Sequence, residues 1–266
     1  MHITRPVLAL LLVTTGGLLA AQSPAPPQPA ETPSVPASTS TLPPAAPAAV
    51  SASGLAGWIV VLDPGHGGDD RGVQAGELVE AQLTLDIAKR TAAALSAHGA
   101  RVVLTRESDI TMDADARAVR ANQTHGHAYL SLHFNRSPRT AATGAEIYTH
   151  QPASMDDAEP PDAQARTLAL VRWDRVQDRH APAAEHLADL LATALGHRVP
   201  VSATPHRRLP LRPLAGVDAP SVLLELAYLS HPGQAALAAT PEFQTAVSEA
   251  IVEALSAARR PPDAAR

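Results

Sequence analysis

Three polar residues stand at the ends of apolar runs. His66 follows Trp58-Ile59-Val60-Val61-Leu62 in the turn Asp63-Pro64-Gly65-His66-Gly67-Gly68, His133 closes Ser131-Leu132-His133, and Glu225 closes Leu223-Leu224-Glu225. Continuous apolar runs of this length, bounded by turn residues, read as strands buried on both faces. In parallel sheets, ligands and catalytic groups gather outside the carboxyl ends of the strands. Two imidazoles and a carboxylate on one such edge therefore point to a shared site rather than to three separate structural hydrogen-bonders.

Glu80 joins them through helix geometry. At about 100° per residue from Val79, the side chains of Leu83, Thr84, Ile87, Ala88, Thr91, Ala94 and Leu95 share one arc, and Glu80 projects into its middle. A carboxylate aimed at a sheet needs a partner, and a dication held with the strand-end histidines would serve. A first-turn glutamate favoured by the helix dipole is the alternative role, and Glu77 fits it at least as well. Because a helix start is defined only to within a residue or so, periodicity leaves both acids open.

Two imidazoles and one carboxylate form a set that suits zinc and leaves a position for water. The chain has no cysteine, so a metal here must be held by His, Asp or Glu. Bound zinc lowers the pKa of water and polarises a carbonyl, and a further carboxylate can then pass the water's proton to a leaving amine. Glu225 is free for that role.

The elements that must position these residues alternate. Strand-like runs recur at Val102-Val103-Leu104, Ala128–Leu132, Ala145–Tyr148 and Val222–Leu224. Helical periodicity fills about 79–98, 112–124, 183–195 and 240–258, the last opened by Thr240 as cap and Pro241 in the first turn. This order predicts an α/β fold: a single layered domain with a mostly parallel twisted sheet flanked by helices, and its site at the carboxyl ends of the strands.

The 266 residues allow one sizeable domain with sequence to spare. With 21 Lys and Arg against 26 Asp and Glu, the net charge of -5 lacks the basic footprint of a nucleic-acid binder. Residues 1–21 have the charged, apolar and small regions of a secretory signal, which predicts export to the periplasm or cell envelope and no membrane span in the mature chain. Residues 22–55, rich in Pro, Ala, Ser and Thr, read as a tether. The folded domain is expected over 56–260. Arg166, Arg172, Arg175 and Arg179 read as a solvated face that could also meet carboxylates.

Several blocks, taken in order, resemble one family. They are Val61–Gly68, Glu80 with Leu83, Leu104-Thr105-Arg106, Arg117 with Ala121-Asn122, Ser131-Leu132-His133-Phe134-Asn135, Gly144-Ala145-Glu146, and Pro220–Ser230. Together they look like the zinc-dependent N-acetylmuramoyl-L-alanine amidases that split bacterial cell walls, across about Gly57 to Ala258. The resemblance implies one Zn2+ on His66, Glu80 and His133, which selects Glu80 over Glu77, and a catalytic Glu225. It implies peptidoglycan as substrate, cut between the lactyl group of N-acetylmuramic acid and L-alanine, with a protein activator as a further partner. Phe134 stands where that family usually has a small residue, and His231 where Asn is common. Residues 150–182 form an insertion expected to leave from the catalytic edge, as a lid over the zinc or a loop that contacts peptidoglycan.

Overall fold

The computed structural model describes residues 54–139, 141–151 and 173–259. The leader, nearly all of the tether and most of the 150–182 insertion lie outside the described residues, as do Arg166 and Arg172.

In chain order the elements are β1 (Ile59–Pro64), the short ribbon β2 (Gln74–Ala75) and β3 (Leu78–Val79), α1 (Glu80–Ala97), β4 (Arg101–Leu104), α2 (Ala114–Asn122), β5 (Ala128–Asn135), β6 (Ala145–His150), a 3-10 turn at Trp173–His180, α3 (Ala181–Gly196), β7 (Val201–Leu209), β8 (Ser221–Tyr228), α4 (Pro232–Ala238) and α5 (Pro241–Ala258). Six strands form one sheet in the order β4-β1-β5-β8-β6-β7. The first four of that order run parallel. Helix starts follow from capping chemistry: Asp113 accepts from the Ala116 N–H ahead of α2, and Thr240 accepts from the Phe243 N–H ahead of α5.

The sheet is covered on both faces. Alternate residues, among them Val60, Leu62, Leu130, Leu132, Val222 and Leu224, pack with Ile87, Leu191, Leu195, Val247 and Ile251 of α1, α3 and α5. The residues between them, Val61, Tyr129, Leu223 and Tyr148, meet Ala118 and Ala121 of α2 and the Leu214–Ala219 segment. That alternation is the pleat of each strand, so strands buried on both faces read as uninterrupted apolar runs.

Three features differ from the sequence reading. First, β6 pairs antiparallel with β8, with Glu146 opposite Glu225 and Tyr148 opposite Leu223, and β7 runs parallel to β6. His150 therefore lies at the opposite edge from His133, and the 150–182 segment departs there rather than from the edge bearing the histidines. It departs at the level of Leu209, the register partner of His150. Second, β7 and α4 join the expected elements. Third, Leu55, assigned above to the tether, is fully buried in the core and donates its N–H to the His98 carbonyl. The apolar gain from Leu55 places the start of the packed domain before residue 56.

Candidate active site

The loop after β1 carries His66, and two buried arginines fix its path. Arg106, 1% exposed, donates to the carbonyls of Pro64 (2.9 Å), Gly65 (2.8 Å) and Ala81 (2.7 Å). Arg117 donates to the carbonyls of Pro64 and His66, each at 2.7 Å, and to Asp63 Oδ1 at 2.7 Å. The Thr84 hydroxyl adds a bond to the Gly65 carbonyl at 2.9 Å. A buried carbonyl without a donor is costly, and here guanidinium groups supply donors to three successive carbonyls. Because Arg106 also grips Ala81, it ties the loop bearing His66 to the first turn of α1 bearing Glu80.

Within that clamp His66 has φ of 59°, the left-handed region that a residue with a Cβ rarely enters. Its Nδ1 donates to Asp70 Oδ2 at 2.8 Å, which leaves Nε2 directed at Glu80 Oε1, 3.0 Å away. Glu80 is 1% exposed at the start of α1. Its Oε2 accepts from the Val73 N–H at 2.8 Å, and its Oε1 from the Phe134 N–H at 2.9 Å. Glu77, by contrast, is exposed between β2 and β3. His133, near the end of β5, brings Nδ1 within 3.1 Å of Glu80 Oε1, and the two imidazoles meet edge to face with centroids 4.9 Å apart.

Two glycines make this convergence possible. A Cβ on Gly65 would fall 2.3 Å from the His133 ring, and one on Gly72, at φ of +65°, would fall 2.6 Å from both Glu80 Oε2 and His66 Cδ2. Neither position tolerates a side chain without moving the histidines.

One donor atom from each of His66, Glu80 and His133 lies within 4.8 Å of the others, so this group could hold a metal ion. The donor chemistry fits zinc: two imidazoles, one of them oriented by a carboxylate, and one carboxylate oriented by backbone N–H groups. Burial pushes the Glu80 carboxyl up, but bonds from His133, His66 and the Phe134 N–H outweigh it and bring its pKa down to about 2. Burial lowers the His66 pKa, yet Glu80 and Asp70 more than compensate and hold it above the ordinary value.

Glu225 lies beside His133 in the register of β5 and β8. Its Oε2 is buried and has no hydrogen-bond partner among the described residues, the arrangement expected of a carboxyl kept available. Burial pushes its pKa up to about 7; the Glu80 and Glu146 charges add to this, and the two histidines oppose it. All four residues line one cleft of about 560 Å³ with Phe134, Asn135, Tyr148, Leu209, Leu211, Pro213 and Leu223. The structure thus brings His66, His133 and Glu225 together, but β5 runs on to Asn135 and Glu225 lies inside β8 rather than at its end. Phe134 is a wall of that cleft. His231 caps α4 by accepting from the Gln234 N–H at 3.3 Å, work that an asparagine side chain also performs.

Sequence reasoning assigned no work to Arg106, Arg117, Asp70 or Glu146. A buried arginine looks like a solvated one in a sequence. A usable signal was the pairing of Arg106 and Arg117 with carboxylate-bearing and Gly-rich segments inside the recognised blocks.

A layered α/β sheet carrying, at its strand ends, a donor set that could hold a dication defines the class of this protein. Residues 60–257 match the Amidase_3 family, N-acetylmuramoyl-L-alanine amidase, and the chain belongs to that family. It is 26% identical over 215 residues to the germination-specific N-acetylmuramoyl-L-alanine amidase of Bacillus subtilis, covering 76% of this chain and 79% of that protein. It is 29% identical to the probable cell wall amidase LytH of Staphylococcus saprophyticus over 74% of this chain and 57% of the relative. Among solved structures, the amidase AmiC2 of Nostoc punctiforme superposes with a TM-score of 0.58 at 26% identity, over 74% of this chain and 94% of that one. The chain therefore spans most of the first relative and little more than half of the second.

Proposed function

We propose that this chain is a zinc-dependent hydrolase of the amide joining the lactyl group of N-acetylmuramic acid to L-alanine in peptidoglycan. The observation that carries this reading is the meeting, in one cleft, of the His66, Glu80 and His133 donors with the unpartnered buried oxygen of Glu225. Family membership supports the substrate. His66, Glu80 and His133 would hold the ion, and no residue outside these three is needed from the chain.

A bound zinc ion supplies Lewis-acid chemistry, making water at the site more acidic and polarising the scissile carbonyl. The chain's own residues do the rest. Asp70 fixes the His66 tautomer so that Nε2 presents a lone pair. The Val73 and Phe134 N–H groups hold both oxygens of Glu80 in place. Glu225 accepts the proton of the attacking water at its carboxylate, then delivers it to the nitrogen of the departing L-alanine, as general base and general acid in turn. Its buried setting keeps both protonation states accessible near neutral pH.

We extend the proposal to location. One relative is named a probable cell wall amidase and another an N-acetylmuramoyl-L-alanine amidase, and no helix among the described residues is long and apolar enough to cross a membrane. Residues 1–21 are read as an export signal and 22–53 as a tether that distances the domain from whatever holds its N-terminus.

The test is mass spectrometry of purified peptidoglycan digested by the zinc-loaded protein. The expected products are free stem peptides beginning with L-alanine. Their absence, with other bonds cut instead, would overturn the assignment of the bond. Elemental analysis of His66→Ala and His133→Ala is expected to show zinc loss with the circular dichroism of the fold retained, and full occupancy in both would refute the ligand set.

A further inference from the structure

The sheet face that bears the catalytic cleft is built in rows. His133, Glu225 and Glu146 sit opposite one another across β5, β8 and β6. The next row contains Leu223, Tyr148 and Arg207, the last on edge strand β7. Register partners share a face, so Arg207 stands beside Tyr148, which lines the cleft, just outside its wall. Leu209, two residues on and on the same face, lines it further along.

Glu146 is 3% exposed and its oxygens are fully engaged. Oε1 accepts from Arg207 Nη2 at 2.6 Å, and Oε2 accepts from the Tyr148 hydroxyl and, at 3.2 Å, from Asn135 Nδ2. Arg207 is different. Its side chain is 47% exposed, and among the described residues its remaining contact is a long one, 3.4 Å from Nε to the Thr204 carbonyl. A guanidinium carries five N–H donors in a planar fork. Glu146 holds that fork through Nη2, and among the described residues Nη1 makes no hydrogen bond.

The surroundings select the ligand. The cleft is lined by the carboxylates of Glu80 and Glu225, with Arg136 as its cation near Asn135, and elsewhere it is apolar through Leu209, Leu211, Pro213 and Leu223, the stretch beside Arg207. An acidic chain leaving the catalytic end along that apolar stretch would be favoured where a fixed cation meets it, and Arg207 is the cation on the β7 side. A neutral sugar would gain little from a charged fork, whereas a carboxylate accepts two parallel N–H bonds from it.

We propose that Arg207, braced by the positioning residue Glu146, is a carboxylate-binding subsite that grips the acidic peptide leading away from the scissile amide. This rests on the hydrolase reading above. It makes the enzyme selective for stems whose residue after L-alanine carries a free carboxylate over stems in which that group is amidated. The arginine cluster at 166–179 read from sequence is not needed for this contact; Arg179 is already paired with Asp218.

The experiment uses two synthetic muramoyl dipeptides, both blocked at the γ-carboxyl as the methylamide, N-acetylmuramoyl-L-Ala-D-Glu with a free α-carboxylate and its α-amide, together with the corresponding product dipeptides. For the wild-type zinc-loaded protein, kcat/KM is expected to favour the acid by roughly tenfold, mainly through KM. Arg207→Gln is expected to reduce that ratio to near one. Arg207→Lys, which keeps Glu146 paired if the glutamine variant fails to fold, is expected to retain part of it because the charge stays and the fork is lost. Calorimetric titration with the acid and amide product dipeptides reads the same preference without turnover. An acid-to-amide ratio that is unchanged in both variants, or no preference in the wild type by either measurement, overturns the subsite. Arg207-dependent binding of the acid dipeptide with neither substrate hydrolysed supports the subsite and overturns the hydrolase reading instead.

Discussion

Glu225 combines a buried oxygen with no partner among the described residues and a pKa pushed up to about 7, chiefly by burial. Replacement by Gln preserves shape and removes proton transfer. The variant Glu225→Gln is expected to lose roughly 10²–10⁴-fold in kcat while its zinc content, measured by elemental analysis, stays at the wild-type level. Near wild-type turnover would reject the role. Asp63 shows the opposite use of a buried carboxylate. It is 1% exposed and accepts from Thr105 Oγ1 (2.5 Å), Arg117 Nη1 (2.7 Å) and Ser131 Oγ (2.8 Å). Burial pushes its pKa up, but the Arg117 charge and these bonds win and hold it below the ordinary 3.8. A carboxyl depressed in the folded state contributes its stability in full above 3.8 and loses it as pH falls through the lower folded value. Asp63→Asn leaves Arg117 buried without its counter-charge and is expected to cost about 3–5 kcal/mol by urea unfolding at pH 7. The difference should shrink in the acid range below 3.8, and equal midpoints at pH 7 would count against the pairing.

At the scale of elements, the site depends on how the loop after β1 is fastened to α1. Arg106 makes that connection through the carbonyls of Gly65 and Ala81. Arg106→Met fills much of the same volume without donors, so it is expected to weaken zinc affinity by roughly 10–100-fold, as loss of groups supporting metal ligands does. Competition with a chelator of known affinity measures this, and an unchanged affinity would show that the loop holds its path without the arginine. The same elements show what a sequence can disclose. His66, His133 and Glu225 were legible because each follows an apolar run that marks a strand, although β5 continues to Asn135 and β8 to Tyr228 beyond them. Glu80 was legible as a burial direction but not as a choice over Glu77, since a helix start does not reveal itself to the residue. Strand β7 was hidden by Pro205 and by His206-Arg207-Arg208, residues suited to a sheet edge and unlike a buried run. The reversal of β6 was hidden too, because an apolar run carries no direction. The short connection at residues 136–144 was the available sign, since a parallel return ordinarily needs a dozen or more residues and a helix.

Across the whole molecule, the core extends to a residue that composition assigns to the tether. Leu55 is fully buried, and Arg259 beyond the end of α5 donates to the neighbouring Gly54 carbonyl at 2.8 Å. Leu55→Ala is expected to lower stability by about 2–5 kcal/mol, read from the unfolding midpoint, and a shift within error would place the domain boundary after residue 55. The central pairing of β5 with β8 joins Tyr129 to Ser221, and the four residues proposed for the chemistry lie between positions 66 and 225. Contacts so distant along the chain form slowly, because the loops between them must close before the pairing repays the lost entropy. On the proposed reading, hydrolytic competence is thus a property acquired late in synthesis: a nascent chain that has not yet reached β8 lacks Glu225 and the pairing that sets it beside His133, and so has no complete cleft.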